Sequence, residues 1–179
     1  VDTRERIMVE ALDLFAERGY GETSLREIAE RIGITKAAVY YHFKTKDDIL
    51  NGLLDTMGQQ IDEIIAWGQT QPRTAETRQE VARRYAARIR EGAKVMRFLH
   101  ENQTALRGID AGARFRERMG RLHDLFVGPD PDLAERLRGL AAIMTMHAGW
   151  MLREEHATSD DQMADTILEV ALELVNGKP

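Results

Sequence analysis

Cysteine is absent from the 179 residues, which excludes disulfide scaffolds and thiolate metal sites together. Serine occurs only as Ser24 and Ser159, both at positions that start helices, so a serine nucleophile has no candidate. A glycine-rich phosphate loop and an HExxH zinc pattern are missing as well. The acidic pairs Asp47-Asp48, Glu154-Glu155 and Asp160-Asp161 fall at helix ends, where the helix dipole or solvation accounts for them. His100, His123 and His147 have no metal-ligand spacing. Neither a metal, nor a cofactor, nor an enzyme is expected. No apolar run approaches the roughly 20 residues that cross a bilayer. The opening VDTRERI is no signal peptide, so no membrane is involved and the expected location is cytoplasmic. The missing initiator methionine suggests a trimmed chain. Net charge is −5, so any contact with a polyanion must be local.

Helical periodicity fills the space these absences leave. It is most informative from Ser24 to Lys46, SLREIAERIGITKAAVYYHFKTK. Ser24 and Glu27 have capping-box spacing, each side chain able to serve the other's amide. Leu25, Ile28, Ala29 and Ile32 recur as one buried stripe. Gly33 stops that helix, since glycine takes the left-handed C-terminal conformation without strain. Thr35 is a good N-cap for a second helix, Lys36 to His42. So short a link forces a large crossing angle, which predicts a helix-turn-helix. Val39 is the inward anchor of the second helix, and Lys36, Ala37, Tyr40 and Tyr41 face out. From Arg31 to Lys46 the chain holds Arg31, Lys36, Lys44 and Lys46 and no carboxylate. A positive patch of this kind on an acidic protein is the footprint of phosphate contact.

The segment ALDLFAERGYGETSLREIAERIGITKAAVYYHFKTKDDIL resembles the N-terminal DNA-binding domain of the TetR family of bacterial transcriptional regulators. The resemblance rests on Phe15, Gly19-Tyr20, Thr23-Ser24, Ile28-Ala29, Gly33-Ile34, Tyr40, His42-Phe43, Lys44, Lys46 and Leu50, and ends near residue 55. It implies a homodimeric regulator, commonly a repressor, on a palindromic operator in double-stranded DNA, released by a small-molecule inducer. By family position Lys36, Ala37 and Tyr40 are base-edge readers, with Arg26 reaching from the preceding helix. Lys36 suits guanine N7 or O6, and the Ala37 methyl and Tyr40 ring suit a thymine methyl. Thr35, Tyr41, His42 and Lys46 are phosphate positioners, which set register rather than read sequence.

Around this motif the chain reads as all-α. Ile7, Ala11, Leu14 and Phe15 form the inner stripe of a first helix, Thr3 to Arg18, completing a three-helix headpiece over residues 1–46. Thr45 with Asp48 caps a long fourth helix carrying Leu50, Leu53, Met57, Ile61 and Ile64, as far as about Trp67. Beyond the polar stretch TQPRTAETR, helical stripes continue to the end. Residues 47–179 are therefore expected to be a helical-bundle domain for ligand binding and dimerisation.

In that half, Leu133, Leu137, Leu140, Met144 and Met151 read as the inner stripe of one helix. Met163, Ile167, Val170 and Leu174 play that part in the last, which Ser159 and Gln162 cap. Ile143, Met146 and Trp150, with Leu168, Leu172 and Val175, lie off those stripes. Helices apolar around so much of their girth need a second burial partner, so these six residues are expected at a two-fold dimer interface, the alternative being that the rest of the same chain covers them. The family resemblance implies a ligand cavity among the helices. Candidates to line it are Met96, Leu99, His100, Phe115, Met119, Leu122, Met144, His147 and Trp150, soft or aromatic groups suited to an apolar ligand, the alternative for the apolar ones being plain core. An alternative is a regulator whose C-terminal domain responds to a protein partner.

Overall fold

The computed structural model describes residues 2–102, 111–148 and 159–177, and every regular element among them is an α-helix. In chain order these are α1 (Thr3–Arg18), α2 (Leu25–Ile32), α3 (Lys36–His42), α4 (Lys46–Gln69), α5 (Ala75–Glu91), α6 (Ala93–Glu101), α7 (Ala111–Phe126), α8 (Leu133–His147) and α9 (Asp160–Asn176). No described helix is long and apolar enough to cross a membrane.

Local hydrogen bonds set most helix ends. Ser24 Oγ accepts from the Glu27 amide at 3.3 Å, and the Glu27 carboxylate accepts from the Ser24 amide at 2.8 Å. Gly33 is left-handed (φ 75°) and closes α2 by donating to the carbonyls of Ala29 and Glu30. Thr35 Oγ1 accepts from the Ala38 amide at 3.1 Å. At the start of α4, Asp48 accepts from the Thr45 amide at 2.8 Å, and its own amide donates to Thr45 Oγ1 at 3.1 Å. Asp132, Thr74 and Ser159 cap α8, α5 and α9 by the same i to i+3 geometry. Each cap is worth about 1 kcal/mol.

The chain packs as two compact units. The first takes the residues up to Met57 together with α6 from Lys94. Its core joins Ile7, Ala11, Leu14 and Phe15 of α1 to Ile28 and Ala29 of α2, Val39 of α3, and Ile49, Leu50 and Leu53 of α4. Val95 and Phe98 of α6 complete it, and Phe98 stacks on Phe15 with ring centres 5.6 Å apart. Grouped by packing, then, the first half of α4 and all of α6 after Ala93 go with the headpiece, although both lie beyond residue 46. Apolar residues on those helices that face the headpiece core are the reason.

The second unit holds the rest of α4 with α5, α7, α8 and α9. Here α9 packs on α8 and α5, around Ile61, Ile65, Val81, Tyr85, Leu122, Phe126, Ile143, Met146 and Val175. On α8 the two apolar stripes are exchanged relative to the sequence expectation. Ile143 and Met146, expected at an interface, are buried in this unit, as is Val175 of α9. Leu168 and Leu172 are half-buried, Leu172 against the same core. Leu133, Leu137, Leu140 and Met144, expected inside, are 72%, 56%, 46% and 56% exposed. Which stripe turns inward is set by the small residues beside it. Gly139 and Ala142 share the inner face, and a Cβ at Gly139 would lie 3.2 Å from His123 and Val127, so that face can approach α7 closely. Trp150, the remaining interface candidate, lies outside the described residues.

Candidate nucleic-acid interface

Val39 is fully buried and Phe43 nearly so. These two anchors turn the other side of α3 outward. Lys36, Ala37, Tyr40 and Tyr41 are all exposed, Tyr41 by 80%. A tyrosine that open, beside a second one, offers hydroxyls and ring faces to a partner rather than to the core. The Lys36 ammonium lies 5.2 Å from the centre of the Tyr40 ring, which holds the cation over the exposed face at little cost. Tyr41 meets His42 edge to face at 5.1 Å. Thr35 caps α3 with an oxygen lone pair, and its hydroxyl proton is left to donate outward.

Four cations and no carboxylate make up the local sequence from Arg31 to Lys46, but the fold changes that balance. The Arg31 guanidinium is held by both Glu17 oxygens at 2.8 and 3.0 Å, with Glu10 at 3.6 Å. Its hydrogen bond to Arg31 holds the Glu17 carboxyl below the usual carboxylate range. Arg31 is thus neutralised by α1 and drops out of the patch. Lys44 donates to the carbonyl of Tyr40, at the end of α3. Lys46, expected at a phosphate, instead donates to the carbonyls of Tyr20 and Gly21. Arg26 is exposed and paired with Glu30 at 2.7 Å, an i to i+4 surface pair weak enough to exchange for another acceptor. Of the four, Lys36 alone keeps its charge on the outer face without an oxygen partner.

Of the residues proposed to line a ligand cavity, the second unit brings three together: Phe115, Met119 and His147. The tyrosine that joins them, Tyr85, is not among the cavity candidates read from sequence. Its hydroxyl lies 2.6 Å from His147 Nε2 and 3.3 Å from Met119 Sδ, and the Phe115 and His147 rings are 6.1 Å apart. Burial lowers the His147 pKa and raises that of Tyr85, so the pair is neutral. Leu122 is plain core, and Met144 is exposed on α8. The side chains of Met96, Leu99 and His100, and all of Trp150, lie outside the described residues. Met119, His123, Leu137, Leu140, Ile143 and Met144 border an open trough of about 310 Å³ between α7 and α8. His123 is held there by the Arg136 carbonyl at 2.9 Å. Among the described residues, no group of three His, Asp or Glu could hold a metal ion.

Residues 7–53 match the family model described as bacterial regulatory proteins, tetR family. Over 63 residues the chain is 40% identical to the HTH-type transcriptional regulator AcrR of Shigella flexneri, which is 35% of this chain and 29% of that protein. The aligned part is thus under a third of the curated relative. Among solved structures, Mycobacterium smegmatis AmtR superposes with a TM-score of 0.75 and 27% identity, over 100% of this chain and 88% of AmtR. AibR, solved in complex with isovaleryl coenzyme A and operator DNA, superposes with a TM-score of 0.67 over 93% of this chain and 96% of its own. At 19% identity that likeness concerns the fold.

Proposed function

We propose that this chain, which through its N-terminal domain belongs to the tetR family of bacterial regulatory proteins, is a transcriptional repressor that leaves a palindromic operator when a small, largely apolar molecule occupies its C-terminal unit. It is a regulator and not an enzyme, like the family members it matches. The observation that carries the reading is the outer face of α3. A capped seven-residue helix, anchored by Val39, presents Lys36, Ala37, Tyr40 and Tyr41 together. The length and shape of such a helix suit the major groove, where its N-terminal residues meet base edges. Lys36, Ala37 and Tyr40 are the readers, with Arg26 alongside once it leaves Glu30. Thr35, Tyr41 and His42 position the backbone.

Operator palindromy calls for two copies. The exposed stripe Leu133, Leu137, Leu140 and Met144 of α8 supports a homodimer through that face. Contiguous apolar surface of this kind marks an interaction site, and a two-fold axis lets one patch cover itself. For the effector, the Tyr85–His147 pair, Tyr85 buried and His147 half-buried, with Phe115 and Met119 beside it, supports an uncharged ligand bearing one hydrogen-bonding group. AibR, similar in fold, is a complex with isovaleryl coenzyme A and operator DNA.

Selection of genomic fragments by the purified protein, followed by competition against random duplex, tests the reading. A short inverted repeat enriched about 10³-fold or more over random DNA is the expected outcome. Equal affinity for all sequences would remove it.

A further inference from the structure

Lys46 opens α4, a position from which its charge and the first-turn amides could both face a phosphate. The side chain runs the other way. Its ammonium donates to the carbonyl of Tyr20 and, at 3.1 Å, to that of Gly21, and lies 4.8 Å from the centre of the Tyr20 ring. The Tyr20 hydroxyl donates to the carboxylate of Asp47, the next residue of α4. The same ring packs on Phe15 and Phe98, with centres 4.9 and 6.0 Å away. One turn of α4 therefore holds a single loop residue by its carbonyl, its ring and its hydroxyl.

That loop is poorly able to hold itself. It runs Gly19-Tyr20-Gly21, with Gly19 at φ 89°, and it leads directly into Thr23 and Ser24, which start α2. Glycine on either side gives the turn wide freedom. The residues of α2 have to arrive at one angle for α3 to lie flat in a groove. Thr23 fixes the far end of the loop by donating to the carbonyls of Gly19 and Leu14 at 2.9 and 3.3 Å. Lys46 fixes its middle. A cation shared between two carbonyls is a charge-assisted contact, stronger than a neutral one, and it commits two of the three ammonium protons to the loop.

We propose that Lys46 is a positioning residue, latching the α1–α2 loop to the first turn of α4 and so setting the presentation of the recognition helix, and that it is not one of the cations that pair with DNA phosphate. The proposal rests on the DNA-binding reading above. It departs from the role that family position implies for this lysine.

The experiment compares wild type with Lys46→Met, which keeps the aliphatic stem and removes the donor. Affinity of the active fraction, fixed by stoichiometric titration, is measured on a selected genomic fragment and on random duplex over a potassium chloride series. Expected is a loss of about tenfold on both duplexes at every salt concentration, with the slope of log affinity against log salt unchanged. A slope shallower by about 0.9 is the mark of one lost phosphate contact, and that result overturns the proposal. Unchanged affinity of the active fraction also overturns it, since a role confined to fold stability would leave binding intact. If wild type prefers no fragment, the regulatory reading falls separately. The latch is then read by hydrogen exchange. Faster exchange of the Gly21 and Glu22 amides in Lys46→Met, with α5 unaffected, supports it, and identical exchange overturns it.

Discussion

The Tyr85 hydroxyl on α5 lies 2.6 Å from His147 Nε2 on α8, with Tyr85 in the core and His147 half-buried at its side. Burial disfavours imidazolium, so the folded chain holds a proton on His147 less readily than the unfolded chain does. With the unfolded value near 6.5, the unfolded state binds more protons below that pH, and stability is lost as pH falls through it. The melting temperature of wild type should therefore drop more steeply from about pH 7.5 to about pH 5.5 than that of His147→Phe. At the upper end the variant should be less stable by about 1–3 kcal/mol, because Tyr85 loses its imidazole partner and keeps only the weaker Met119 sulfur. Parallel pH profiles would show that His147 titrates normally.

Lys36 is the cation on the outer face of α3 whose contact within the protein is a tyrosine ring. Its replacement by alanine should relax base preference at one position in each half-site, at a cost of about 1–3 kcal/mol on the preferred operator. On random DNA the loss should be smaller. Binding to a library of single-base operator variants measures this, and equal loss on every variant would make Lys36 a phosphate contact.

On α8 the exchanged stripes separate folding from assembly. Ile143 is buried and Leu140 is 46% exposed. Ile143→Ala should destabilise each copy by about 2–5 kcal/mol. Leu140→Asp should leave the fold within about 0.5 kcal/mol and shift the molecule to monomer. Sedimentation at micromolar concentration with denaturant melts reads both, and a Leu140→Asp dimer would place the interface elsewhere.

Two glycines of α4 should respond in opposite directions. A Cβ at Gly68 would lie 2.7 Å from Leu125 Cδ1 and 3.2 Å from Val81 Cγ2. These are packed core atoms, so Gly68→Ala should lose about 1–3 kcal/mol to overpacking, more than the helix-propensity gain of about 1 kcal/mol. At Gly58 the near neighbour is the Arg118 guanidinium, 2.6 Å away. That group is the flexible end of a side chain paired with Asp62 at 2.9 Å. It can swing aside, so Gly58→Ala should be neutral or slightly stabilising. Urea melts of the two variants decide the contrast.

The all-helical order, the helix-turn-helix and its outward residues were legible in sequence because each depends on groups three or four positions apart. Ser24 with Glu27, Thr45 with Asp48, Gly33 after α2 and Thr35 before α3 are local hydrogen-bonding arrangements, and the residue types that make them are few. The same holds for the outer face of α3, where Val39 is the one large aliphatic residue and must point in. The family resemblance adds roles to those positions, and it reaches no further than the first helices.

What tertiary structure alone decided is how side chains far apart in sequence meet. Arg31 is cancelled by Glu10 and Glu17 of another helix, and Lys46 turns to a loop 25 residues back. Tyr85 and His147 pair across 62 residues. The two stripes of α8 are almost equally apolar, so periodicity could find both and rank neither. The tie was broken by close approach at Gly139, a matter of where α7 lies. Spacing along one helix specifies a face, and only the neighbouring helix determines whether that face is inside.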